Sequence, residues 1–355
     1  MKIKLSLFLS FFIIYSLSAQ EYIVKVQKEG SKKFSYLTIN GESQIETAYF
    51  DATDFGEEGI AIAKITVSSF YQIYDKKGEI INSEAIIKPI INEWSSIASG
   101  FIDGMVITKI NENYGAVNYE GKLSVPGVYT KLTEFNGNHA IGTKGRVYFV
   151  VNNKGEEIKL DIPKIRAAKH FSEGLAPIKI KGAYGYIDTL GQVVIRPKYK
   201  STGHFNGGVA WAKNLDGRVG YIDKSGKWLV EPIFIIGDDY DPESGYARVK
   251  STRGWAYIDT ANQFTNLGVT NDYFNFSEGL AINRENGRIG FIDHTGEWVI
   301  KPYFAVAHKF TNGFARVQVN GKWGLIDKKG EWLVEPNYKE IGNAVLIKEL
   351  NYLAQ

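Results

Sequence analysis

The stretch "GDDYDPESG", Gly237 to Gly245, sets four carboxylates within nine residues: Asp238, Asp239, Asp241 and Glu243. Hard cations such as calcium take six to eight oxygens, so these four are weak candidates for a metal site, and a solvated acidic loop is the plainer reading. Five histidines, at positions 139, 170, 204, 294 and 308, form no His-Glu-x-x-His pair. A zinc site would have to be assembled from residues far apart in the chain. "GNHAIGTK", Gly137 to Lys144, has the glycines of a phosphate loop, but its Lys and Thr stand in the wrong order and no helix is signalled after it. No Gly-x-Ser-x-Gly elbow occurs. With no cysteine there is no disulfide, thiolate metal site or cysteine nucleophile. These residues assign no catalytic side chain and no cofactor.

The aspartates recur instead of converging. Gly-aromatic-Ile-Asp appears as "GYID" at Gly185 and Gly220, "AYID" at Ala256, "GFID" at Gly290 and "GLID" at Gly324, in steps of 35, 36, 34 and 34 residues. Degenerate copies stand upstream at Ser35, Gln72, Gly115 and Phe149, making nine units. A proline follows the Asp by nine residues at Pro197, Pro232, Pro302 and Pro336, and an aromatic comes two later. Then comes aromatic-x-x-Gly-apolar-Ala, as in "FSEGLA" at Phe171 and Phe276. Catalysis needs a unique pair of acids in unlike surroundings. An aspartate repeated in every unit, just before a Lys-Ser-Gly turn, reads as a turn cap.

Each unit reads as three short strands: one around "GYID", one around "WLVE" ended by proline, and one around "LAxV". High Tyr, Phe and glycine content fits an all-β chain. One such β-meander cannot bury its own apolar face, so the units must stack. Nine units of about 35 residues favour an open curved solenoid or superhelix over a closed propeller-like ring, whose blades usually run to about 40–45 residues.

"KWGLIDKKGEWLVEP", from Lys322, resembles the WG-repeat (KWG-repeat) family of bacterial β-repeat proteins. The resemblance is clear in units 5, 6, 8 and 9, partial in unit 7 and weak before about residue 145; the literal Trp-Gly pair is only Trp323–Gly324. It implies repeats, export and binding, and no catalytic residues. The domain reading is a leader over 1–20, degenerate repeats over 21–145 and clear repeats over 146–352, in one continuous array.

A binding face should lie where the repeat varies. After the constant Ala of the "LAxV" strand stand Pro177, Trp211, Arg248, Ile282 and Arg316. Trp211 with Arg248 and Arg316 could read a glycan or peptide by stacking and cation–π contact. Trp94, within the insertion Ile81 to Phe101, is the other candidate. Trp228, Trp298 and Trp332 recur at one position and read as packing. Units stacked in register would set Arg196 against Glu231 and Lys301 against Glu335.

The first twenty residues carry Lys2 and Lys4, an apolar run from Leu5 to Leu17 and a small-residue end. That run is short for a membrane span, and it reads as a cleaved secretory signal. The remaining chain is close to neutral, which gives no footprint for nucleic acid. The sequence therefore predicts an exported protein (periplasmic, cell-surface or secreted) with no transmembrane segment after cleavage. Its role is a non-catalytic scaffold for a protein or ligand. The alternatives are a glycan or cell-envelope binder, and a hydrolase with a loop-built site.

Overall fold

The computed structural model describes residues 21–39, 43–69, 71–87, 101–110, 112–265 and 274–347. The leader and Trp94 lie outside the described residues, as do positions 348–352 of the predicted array. All regular structure among the described residues is β, arranged as small antiparallel sheets that follow one another along the chain.

Six of the sheets have four strands rather than the three expected. In the sixth unit the order is Ser201–Thr202, Ala210–Lys213, Val219–Ile222 and Trp228–Phe234. The unforeseen strand has two residues and starts one residue after the long last strand of the preceding unit, Val193–Tyr199. So short a strand leaves no alternating pattern to read. The sheet boundary also differs from the expected one. The "LAxV" strand pairs with the "GYID" strand that follows it, Trp211 opposite Tyr221, because a short hairpin joins these two.

Proline does not end its strand. Pro197, Pro232, Pro302 and Pro336 lie within the last strands of their sheets, in a shifted register. Tyr184 opposes Tyr199 and Tyr186 opposes Ile195, so four steps on one strand match two on the other. A bulge of this kind leaves a residue without a ladder partner, which is where a residue lacking an N–H is tolerated. The bulge presses its backbone onto the glycine of the repeat phrase. A Cβ on Gly185 would lie 2.2 Å from the Ile195 carbonyl oxygen and 2.8 Å from the Pro197 nitrogen. Gly220, Gly290 and Gly324 meet the same wall at Pro232, Pro302 and Pro336, and Gly115 meets it at the Gly127 nitrogen, one residue after Pro126. Units 1, 2, 4 and 7 have Ser35, Gln72, Phe149 and Ala256 in place of this glycine, and they also lack the proline.

The turn aspartates cap as expected. The Asp223 carboxylate accepts N–H bonds from Ser225 and Lys227, at 2.9 and 3.0 Å. Asp75, Asn118, Asn152, Asp188, Asp259, Asp293 and Asp327 do the same in their units.

Alternation along the "GYID" strand sends neighbouring side chains to opposite faces, and both faces are buried. Tyr186 packs with Phe205, Ala210 and Ile222 of the next unit, whereas Ile187 packs with Ile141 and Val150 of the previous one. The Tyr186 ring lies 4.8 Å from Phe205, and its hydroxyl donates to the Gly203 carbonyl at 2.9 Å. Burial of each such side chain contributes about 2 kcal/mol. Trp228 and Trp332 take packing roles, edge-on to Tyr199 and Phe304 of the preceding unit at 5.4 and 6.0 Å. The expected in-register ion pairs do not form: among the described residues none joins Arg196 to Glu231 or Lys301 to Glu335. All four are exposed, while the units meet through their apolar faces.

The chain ends meet as well. Glu21–Lys28 pairs antiparallel with Trp332–Ile341, Gln27 opposite Glu340, and with Val345–Ile347, Ile23 opposite Val345. The first and last units therefore share one sheet. Val24, Val26 and Leu37 pack there with Leu325, Val334 and Ile341.

Candidate functional site

The residues that follow the short first strand differ from unit to unit, although the repeat fixes their place. The second position past that strand holds Asp54, Glu134, His170, His204, Asp239 and Lys309 in units 2, 4, 5, 6, 7 and 9. Every one is polar, and the most closely associated group lies in units 4 to 7.

His170 and His204 stack with ring centroids 3.9 Å apart and 17° between planes. Burial lowers both imidazole pKa values. The His204 value falls to about 4, with His170 and Lys169 adding to the effect of burial. For His170, Lys169 adds to burial and Glu134 opposes it. Both rings are therefore neutral at pH 7, and His204 Nε2 is buried with no hydrogen-bond partner among the described residues. Lys169 donates to the Thr202 carbonyl at 2.6 Å and lies over the Tyr184 and Trp211 rings at 5.8 and 5.6 Å. Burial holds its pKa below the ordinary lysine value, against the pull of Asp239. Asp239 is shifted up, first by burial and also by Asp238, while a hydrogen bond from Trp211 and the charges of Lys169 and Lys309 work the other way.

Trp211 thus joins this group. It fills the space over Gly203, where a Cβ would come 2.4 Å from the indole nitrogen. The other residues singled out for binding go elsewhere. Asp238 holds the Arg248 guanidinium, which lies 4.4 Å from the Trp255 ring centroid. Arg316 is drawn into the contact between the last and first units and donates to the Ile341 carbonyl at 3.2 Å. Burial works against its charge, and its Nε has no partner among the described residues.

The four acidic loop residues do not converge on one point. Asp238 binds Arg248, and Asp239 faces Trp211. Asp241 accepts from the Glu278 and Gly279 N–H groups of the next unit at 3.0 and 3.1 Å, and Glu243 meets Lys328 at 2.7 Å. No group of three or more His, Asp or Glu suited to a metal occurs among the described residues. The histidine pair escaped the sequence reading because its members are 34 positions apart, one repeat. Aligning the units on the short strand would have exposed it as a polar column of changing identity.

Stacked four-stranded units with shared cores define a tandem all-β repeat protein. The model of the WG containing repeat matches residues 114–145, 184–217, 220–252, 289–323 and 323–344, so the chain carries WG repeats over these segments. The five segments begin at or just before Gly115, Gly185, Gly220, Gly290 and Gly324, the glycines that face the bulge. No curated protein matches the chain. Among solved structures, that described as "the eukaryotic initiation factor" is 13% identical with a TM-score of 0.61, over 92% of this chain and 98% of that one. The computationally designed Ika8 protein is 13% identical with a TM-score of 0.43, over 88% and 99%. BamB from Moraxella catarrhalis is 12% identical with a TM-score of 0.38, over 78% and 91%. At these identities the likeness concerns the fold alone.

Proposed function

We propose that the chain is an exported, non-catalytic scaffold whose nine units close into a ring, and that the polar column of units 4 to 7 binds its protein or glycan partner. Closure is supported by a count. Nine units in an open row share eight interfaces, but nine apolar clusters occur among the described residues, each joining two units. The ninth joins the last unit to the first. This favours the ring over the open superhelix that the repeat length favoured.

The observation that carries the binding role is the column itself. The recurrent residues serve the units: glycine faces the bulge, aspartate caps the turn, and tyrosine and isoleucine fill the interfaces. The changing residues gather at one register position, which is how repeat scaffolds present a partner surface. Neutral imidazoles, a carboxyl group with raised pKa and an indole suit hydrogen bonding and stacking to a polar ligand. Glycan and peptide arrays test this with the wild type and with His204→Ala combined with Asp239→Asn. The reading expects a bound class that the double variant loses and that Lys154→Ala, on an exposed turn, keeps. Equal binding by both variants removes the column from the function.

A hydrolase is the second reading, favoured by the same two imidazoles and Asp239, which share Lys169 as a charged neighbour, groups of the kind that move protons. It expects turnover of an arrayed glycan or peptide that His204→Ala abolishes.

A further inference from the structure

In the five units that keep the glycine, the residue before it opposes an aromatic across the bulge. Examples are Val219 with Phe234 and Trp323 with Tyr338. Unit 7 breaks this arrangement. Its last strand, Phe264–Thr265, pairs only with Tyr257 and Ile258 among the described residues. Trp255, which stands where Val219 and Trp323 stand, has no such opposite residue among the described residues. A cleft of about 810 Å³ opens there against the bulge of unit 6, lined by Arg218, Pro232, Phe234, Arg253, Trp255 and Phe264 among others. The volume falls within the range of small-ligand sites.

Three features define the chemistry. The wall is flat and apolar: Trp255, Phe264 and Pro232, with Phe264 54% exposed. Its geometry is held, because the Arg248 guanidinium covers Trp255 and is itself bound by Asp238, while Ser251 braces its hairpin through Arg253 N–H and the Gly254 carbonyl. The charge is one-sided. Arg218 and Arg253 line the cleft, and among the described residues no Asp or Glu lines it and neither arginine is in an ion pair.

We propose that this cleft binds a carboxylate-bearing six-membered ring, with the flat face of the ring on Trp255 and the carboxylate on the two guanidinium groups. Arginine matches a carboxylate with paired N–H donors, and an indole face accepts a sugar or an aromatic ring. The proposal rests on the binding-scaffold reading but uses a different face from the polar column, so the two fail separately.

Calorimetric titration of the purified protein with glucuronate, benzoate and glucose tests it. Both acids should bind at least about 10-fold more tightly than glucose, since hydrogen bonds to charged groups contribute about 1.5–3 kcal/mol. Arg218→Gln with Arg253→Gln should bring glucuronate down to the level of glucose, and Trp255→Leu should weaken both acids. Arg253→Lys should recover part of the loss, because the charge returns without the paired donors. Tighter binding of glucuronate than benzoate identifies an acidic sugar, and the reverse order an aromatic acid. The proposal is overturned if neither acid outbinds glucose at millimolar concentration, or if the double arginine variant keeps the wild-type preference within about twofold.

Discussion

Gly185 and Pro197 are in backbone contact: a Cβ on the glycine would sit 2.8 Å from the proline nitrogen and 2.2 Å from the Ile195 carbonyl oxygen. Replacing Gly by Ala at a compatible site stabilises a protein by about 0.4–1 kcal/mol through the unfolded chain. Here the wall is backbone and cannot rotate away, so overpacking wins. Gly185→Ala should destabilise by about 2 kcal/mol. Ala256 supplies the opposite case, since unit 7 has no proline and its last strand pairs without a shift. Ala256→Gly should cost about 0.5–1 kcal/mol, from chain entropy alone. Urea unfolding of both variants measures the difference; equal losses would remove the bulge as the reason for the glycine.

The repeat period, the turn caps and the packed tryptophans were legible because each depends on local spacing. Asp223, for instance, needs only a backbone turn two to four residues away. The fourth strand was not legible, since two residues such as Ser201–Thr202 carry no period. The role of proline was misread for a related reason: a bulge is defined by the partner strand, and sequence does not show the register. Trp211 was singled out as variable, but its partners, Lys169 and Asp239, come from neighbouring units. Which variable residues meet depends on how units pack, and that is fixed by both faces of the sheet together.

The turn caps give a second prediction. Units 3 and 4 use Asn118 and Asn152 where most others use Asp, with the same two N–H bonds. The cap therefore needs an oxygen acceptor and not a charge. Asp223→Asn should change stability by less than about 0.5 kcal/mol, while Asp223→Ala should cost about 1 kcal/mol because two N–H groups lose their acceptor. If Asn proves as costly as Ala, the charge carries the cap.

The stacked histidines predict a dependence on pH. The folded pKa of His204 is lowered to about 4 and that of His170 is also lowered, against about 6.5 in an unfolded chain. Between these values the unfolded chain binds more protons, so stability rises with pH. The contribution of the pair is complete above about pH 6.5 and is lost as pH falls toward 4. Glu134 and Lys169 face His170 and act in opposite directions, and carboxylates elsewhere titrate in the lower part of the window. The comparison with His170→Asn and His204→Asn together isolates the imidazoles. Thermal midpoints from pH 7 to 4 should fall more steeply for the wild type than for the double variant; parallel slopes would show that the rings do not titrate with unfolding.

The proposed ring gives the last prediction. Gln27 and Glu340 are direct partners in the strand pairing between the chain ends, and antiparallel partners lie about 4.5–5.5 Å apart at Cα, within the span of a disulfide. The protein has no cysteine, so Gln27→Cys with Glu340→Cys introduces a single possible bridge. The change at Gln27 is tolerable, because its Oε1 is buried without a partner among the described residues and a thiol removes that defect. In a ring, oxidation joins the two ends of one chain, giving a more compact band on denaturing gels at every protein concentration. The thermal midpoint should rise, with a stabilisation of roughly 2–4 kcal/mol. An open superhelix keeps the ends apart, so oxidation would leave free thiols or link separate chains in proportion to concentration. Lys154→Cys with Glu340→Cys is the control, and it should cross-link only between molecules.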